Sequence, residues 1–326
     1  MKKSSKDEWR KKIKAIEKAT YIDQEMLVGS RNFFSRRWLV LRRQFLSYYF
    51  LQPPLWRVLV RSKSKEPRMS PSFLSLGAVR SGTTLFSDYI MQHPCVALPL
   101  AKEIGVGRFP VERYLRAQMP TIKEGEAIRK DHGKVITGYC SPAIPHAGFA
   151  HLSSQIAAPD DTKIVIILRD PVERTFAHWR WDSALLKKIK ADSLWNEFPN
   201  FDGAMQIELD YISQGGGGMT TASGTGGGGY IQHSIYLPFL KVLNQYYPRQ
   251  NILFIKSEDF FEAPIAIAKQ GYAFLDLPEY EPIKVEVKNT GPVKEIMSEG
   301  TRALLTEFFK PKNKALYEYI GRDLNW

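Results

Sequence analysis

Gly77-Ala78-Val79-Arg80-Ser81-Gly82-Thr83-Thr84, GAVRSGTT, follows the apolar run FLSL (73–76) and precedes the helix-like stretch LFSDYIMQ (85–92). A glycine-bearing turn between a strand and a helix aims several backbone N–H groups, and the positive end of the helix dipole, at one anion. It is not a nucleoside-triphosphate loop. The pattern G-x-x-x-x-G-K-[ST] requires Lys where Thr83 stands, and the cation here is Arg80, ahead of the second glycine. Thr83 and Thr84 open the helix, where their hydroxyls cap it or bond a phosphate oxygen, while Arg80 supplies a fork of donors. An ordinary strand-to-helix turn is the plain alternative for the segment on its own.

Outward from this loop, apolar runs of strand length alternate with helix-like segments: FLSL (73–76), VAL (96–98), KVITG (134–138), KIVIIL (163–168) and NILFI (251–255). Such alternation predicts an α/β fold, a central parallel sheet flanked by helices, with binding residues at the carboxyl ends of the strands. The run DTKIVIILRDPVERTFAHWRW (161–181) sharpens this expectation. It reads as a buried strand ending in Arg169 and Asp170, then a helix opened by Pro171 in its first turn. Parallel neighbours would bring Arg169 and GAVRSGTT to one crevice, as two anion sites. An ion pair between Arg169 and a helix carboxylate is the alternative. The closing stretch MSEGTRALLTEFFKPKNKALYEYIGRDLNW (297–326) carries apolar residues at helical spacing and predicts a docked helix.

The chain has 326 residues, 44% of them hydrophobic, enough for one large core or two modest ones. Its net charge of +12 is confined to one end: residues 1–70 hold 18 Lys and Arg against 6 Asp and Glu, and the remainder holds 28 of each. A body of balanced charge with a basic arm argues against a nucleic-acid binder. Residues 31–61 interleave Arg with Phe, Trp, Tyr and Leu. That pattern fits either helices packing aromatics onto the body or a peripheral membrane or acidic-partner contact through residues 1–61. The stretch 61–71 reads as a linker, giving an N-terminal extension over 1–69 and a body over 70–326. Cys95 and Cys140 have no metal-ligand spacing, so neither a zinc site nor a disulfide framework is expected. No run of about 18 apolar residues occurs, and the charged N-terminus lacks the apolar core of a signal peptide; a cytoplasmic protein, soluble or peripheral, is expected. GGGGMTTASGTGGGG (215–229) holds 9 of the 23 glycines and reads as a flexible insertion or a flap.

The pair GAVRSGTTLFSDYIMQHP and IVIILRDPVERTFAHW resembles the 5′-phosphosulfate loop and the 3′-phosphate strand and helix of sulfotransferases that use 3′-phosphoadenylyl sulfate (PAPS), in particular the heparan-sulfate-type branch. AKEIG (101–105) resembles that family's lysine–glutamate motif, and residues 229–264 resemble its G-x-Y helix, following strand and SED turn. The resemblance spans about residues 70–326. It implies the phosphate-loop-like sulfotransferase fold, PAPS as co-substrate with adenosine 3′,5′-bisphosphate as product, and no required metal. It implies that Arg80, Ser81, Gly82, Thr83 and Thr84 hold the phosphosulfate, that Arg169 with Gly291 and Lys294 holds the 3′-phosphate, and that Glu103 is the general base. A Lys usually stands where Arg80 does, beside the leaving phosphate. Arg keeps the charge with bidentate geometry.

The chain departs from the family at several points. Ala177 stands where the family has a serine ligand to the 3′-phosphate, Thr290 replaces a usual lysine, and GVGRF (105–109) reshapes the segment after Glu103. The acceptor is expected to be a small polar metabolite, with a glycan as the alternative. A magnesium-dependent kinase and a degenerate nucleotide-cleft module recruited through the basic arm are the competing classes. A surface ion pair with Lys102 is the alternative for Glu103, and His93 and His178 are the other candidate bases.

Overall fold

The computed structural model describes residues 55–102, 116–141, 161–188, 200–214, 229–285 and 295–326. In chain order they form α1 (Leu55–Lys63), β1 (Phe73–Leu76), α2 (Thr83–Ile90), β2 (Val96–Ala97), α3 (Ile122–His132), β3 (Ile136–Ser141), β4 (Lys163–Leu168), α4 (Pro171–Lys188), α5 (Phe201–Ser213), α6 (Leu237–Leu243), β5 (Ile252–Lys256), α7 (Ser257–Glu262), α8 (Pro264–Phe274) and α9 (Glu299–Ile320). All five expected apolar runs fall on strands; β2 ends one residue earlier than expected, β5 is shifted by one, and β3 begins two residues later and ends three later. Local chemistry sets the helix ends. Thr121 and Glu124 form a reciprocal capping box at the start of α3, and Gly133 closes it in the left-handed conformation.

The strands form one sheet in the order β2-β3-β1-β4-β5, and each neighbouring pair is parallel. Burial on both faces explains why β4 is apolar from Ile164 to Leu168. Ile164, Ile166 and Leu168 join Leu74 and Leu76 in a core with Phe239, Leu240, Leu316 and Ile320 of α6 and α9. Val165 and Ile167 face the other way, with Phe73, into a core with Phe86, Tyr89 and Ile90 of α2 and Tyr272 of α8. The helix after β1 therefore lies on one face. The helix after β4 belongs to a third cluster, where Val172, Phe176 and Trp179 meet Leu305 and Phe309 of α9. The chain thus reverses direction across the sheet between β1 and β4. Parallel strands open a crevice at their carboxyl ends at such a point.

The helix expected over the closing stretch is α9, which buries Leu305, Phe309, Leu316 and Ile320 along one face. Residues 61–71, expected as a linker, are tied down. Arg61 donates through Nε to the carbonyl of Ala117 (2.9 Å) and through Nη2 to that of Met119 (2.8 Å), and Arg68 pairs with Thr121 in an antiparallel bridge. Polar side chains there bond the backbone of a distant turn, which composition does not reveal. Among the described residues no helix is long and apolar enough to cross a membrane.

Candidate anion-binding active site

Two glycines and three borrowed donors shape the loop after β1. Gly77 is required by close approach: a Cβ there would stand 1.8 Å from Thr83 Cγ2. Arg80 (φ 69°) and Gly82 (φ 92°) both take left-handed backbone conformations, around a Ser81 whose N–H donates to the Ala78 carbonyl (3.1 Å). A non-glycine residue at positive φ costs energy and persists only where its surroundings hold it. Here three neighbours hold successive carbonyls. Arg174 Nη1 reaches Val79 O in a long 3.5 Å contact, Arg169 Nη1 donates to Arg80 O (3.0 Å), and Ser257 Oγ donates to Ser81 O (3.0 Å). Within a trans peptide the N–H points opposite the C=O. Fixing the Val79 and Ser81 carbonyls therefore turns the N–H groups of Arg80 and Gly82 away from Arg174 and Ser257. Alternating backbone handedness with converging amides makes an anion concavity. Ser81 Oγ is buried in the same loop with no hydrogen-bond partner among the described residues.

Arg169 leaves β4 beside this loop, because β1 and β4 are parallel neighbours. Its backbone is fixed by Tyr236, whose hydroxyl donates to the Arg169 carbonyl (2.8 Å). Asp170 Oδ1 accepts from the amides of Val172 (2.7 Å) and Glu173 (3.1 Å), capping α4, while its own N–H donates to Glu258 Oε1 (3.0 Å). The turn Ser257-Glu258 thus touches both anion loops. Pro171 opens α4 as the sequence predicts.

The fold has known counterparts. A crystal structure of a sulfotransferase from Alicyclobacillus acidocaldarius matches with a TM-score of 0.52 and 23% sequence identity, over 78% of this chain and 98% of that one. The fold is that of a sulfotransferase. The membrane-associated sulfotransferase kil1 of Dictyostelium discoideum is 20% identical, the match covering 78% of this chain and 66% of that protein. The chain therefore spans just under two thirds of the length of its curated relative. No protein-family model matches the chain.

In this sulfotransferase fold two cations sit near the loop in different ways. The guanidinium of Arg80 lies 3.6 Å from the ring centroid of Trp181, stacked on an indole from α4. Lys102, the lysine of AKEIG, sends Nζ to Thr84 Oγ1 (2.7 Å). Sequence spacing gives no sign of either contact, since 18 residues separate Lys102 from Thr84. Behind the loop lies a buried polar network that the sequence also conceals. Arg174 is fully buried; Nε donates to Ser234 Oγ (2.6 Å), and Nη2 donates to the Tyr230 carbonyl. Glu208 Oε1 accepts from the amides of Ile231 (2.8 Å) and Gln232 (3.0 Å). Burial pushes the Glu208 carboxyl up to about 7, against the opposing pull of those amides and of Arg174.

Of the expected site residues, Arg80, Ser81, Gly82, Thr83, Thr84 and Arg169 come together at the carboxyl ends of β1 and β4. Glu103, Gly291 and Lys294 lie outside the described residues, as do Thr290, residues 215–228 of the glycine run and residues 1–54 of the arm. His93 is elsewhere, beyond the end of α2. Its Nδ1 accepts from the Cys95 amide (3.1 Å), Nε2 meets the Pro278 carbonyl (3.0 Å), and burial lowers its pKa. His178 is buried against Arg174 (3.3 Å) and Tyr230. A cavity of about 350 Å³, lined by Lys134, Lys163 and Asp276 among others, sits at the amino ends of β1 and β4, away from the loop. There Lys163 already pairs with Asp276 at 2.5 Å.

Proposed function

We propose that the protein is a PAPS-dependent sulfotransferase of the heparan-sulfate-type branch, acting on a hydroxyl or amine of a small polar metabolite. The observation that carries this reading is the loop itself. It lies beside Arg169 at the reversal of the sheet, with Arg80 and Gly82 in left-handed conformations, and Thr83 stands where a triphosphate would need a lysine. In this reading the GAVRSGTT amides, Arg80, Ser81, Thr83 and Thr84 hold the 5′-phosphosulfate, and Arg169 with Gly291 and Lys294 holds the 3′-phosphate. The acceptor atom bonds to sulfur as the bond from sulfur to the 5′-phosphate oxygen breaks. Glu103 takes the acceptor's proton, and the electron pair leaves on adenosine 3′,5′-bisphosphate. Arg80 acts electrostatically, because a guanidinium does not readily release a proton. The step calls for no metal.

Family members commonly continue after Glu103 with His or Gln and paired Phe, and the departure to GVGRF is taken as a reshaped acceptor cleft; a glycan is the second acceptor class. Residues 1–69 are taken as an extension to a body over 70–326, in the cytoplasm or at a membrane surface, with no nucleic-acid partner. The test is incubation with labelled PAPS and a panel of amines, phenols, alcohols and glycans. Transfer that falls at least about 100-fold in Glu103→Ala supports the assignment. Near-normal turnover by Glu103→Ala removes Glu103 as base, and ATP turnover with magnesium in place of sulfuryl transfer overturns the reading. If Arg169→Ala binds adenosine 3′,5′-bisphosphate as the parent does, Arg169 is not the 3′-phosphate ligand.

A further inference from the structure

Lys102 enters the phosphate loop from a different strand. It follows β2, and its own carbonyl accepts from the Cys140 amide (3.0 Å), which holds that backbone along β3. From there Nζ reaches Thr84 Oγ1 at 2.7 Å, at the second residue of α2. The amides of a helix's first turn have no partner within the helix, so an anion placed there meets both them and the ammonium. The buried Ser81 hydroxyl, without a hydrogen-bond partner among the described residues, lies in the same loop. Arg80 is placed differently. One face of its guanidinium lies over the Trp181 ring, 3.6 Å from the centroid. An ammonium on a flexible four-carbon stem keeps several donors and concentrates its charge at one point.

We infer that Lys102 is a second cation of the phosphosulfate site. Arg80, held flat on Trp181, fixes one side of the anion, and Lys102 meets the 5′-phosphate from the Thr84 side. As the bond between sulfur and the 5′-phosphate oxygen breaks, that oxygen gains the electron pair. A cation already beside it favours the departure without reorganising. Thr84 sets the reach of the ammonium by accepting one of its hydrogens. This rests on the PAPS reading above and deepens it.

The experiment separates the two. Isothermal titration measures the affinity of the full chain for adenosine 3′,5′-bisphosphate and for adenosine 3′-monophosphate, which lacks the 5′ group, in the parent and in Lys102→Ala, Lys102→Gln and Lys102→Arg. Thermal melts of each variant identify those that fold. The expected result is a loss of about 10-fold or more for the bisphosphate in Lys102→Ala and Lys102→Gln, no change for the monophosphate, and recovery to within about 3-fold in Lys102→Arg. Parent-like affinity for the bisphosphate in a folded Lys102→Gln overturns the assignment of Lys102 alone. An equal loss for both ligands also overturns it, since the effect then does not arise at the 5′ end. A parent that binds neither nucleotide removes the PAPS reading, and the role of Lys102 with it.

Discussion

Replacing Glu208 with Gln tests the buried network behind the loop. The residue is 3% exposed; Oε1 accepts two amides, and Oε2 has no hydrogen-bond partner among the described residues. In the unfolded chain the carboxyl loses its proton near 4.5, and in the fold near 7. Below 4.5 both states hold the proton, and between 4.5 and 7 the folded state alone keeps it. Stability therefore falls as pH rises through this window and levels off above it. At 1.36 kcal/mol per pH unit the loss is about 3 kcal/mol. Glu208→Gln is neutral throughout, so it should match the parent near pH 5 and exceed it by up to about 3 kcal/mol at pH 8. With an unfolding entropy of about 2 cal/mol/K per residue, that amounts to roughly 4 °C in Tm. Thermal melts of both proteins at pH 5, 6, 7 and 8 provide the measurement. The difference between the two Tm values is the quantity to follow, because other groups titrate alike in both. A difference that stays constant over this range, or a parent more stable than the variant at pH 8, would refute the reasoning.

Gly77→Ala places its Cβ against Thr83 Cγ2 and should cost about 1–3 kcal/mol in urea unfolding; Thr83→Ser, which removes that methyl, should recover part of the loss. Asp170→Ala removes the cap from the first amides of α4 and should cost about 1 kcal/mol by the same measurement. Under the proposed function, Arg80→Ala should lower sulfuryl transfer by about 100-fold, with Arg80→Lys retaining most of it, since charge near the leaving oxygen is what the step uses. Trp181→Ala should weaken transfer less than Arg80→Ala, because it loosens the guanidinium without removing it.

The local pattern of residues 73–84 and 163–171 was enough to place a strand, an anion-binding turn and a helix twice over, because periodicity, glycine and proline act within a few residues. The alternating runs were likewise enough to predict a parallel sheet, and a strand-end Arg169 followed from the place where KIVIIL stops. Tertiary structure alone decided how these pieces act on one another. Ser257 lies 176 residues from the Ser81 carbonyl it holds, and Arg169 lies 89 from that of Arg80. Contacts at such separations leave no periodic trace. The same holds for the tied-down stretch 61–71, whose polar composition suits a linker and a docked turn equally. It holds also for the charges at the site. The sequence offers Arg80 and Lys102 as two cations among 46, and only the packing of α4 and the course of the chain after β2 put one on Trp181 and the other on Thr84. The glycine-bearing turn without a triphosphate's lysine was written locally, whereas the placing of charge around that loop was set by strands and helices distant in sequence meeting at one edge of the sheet.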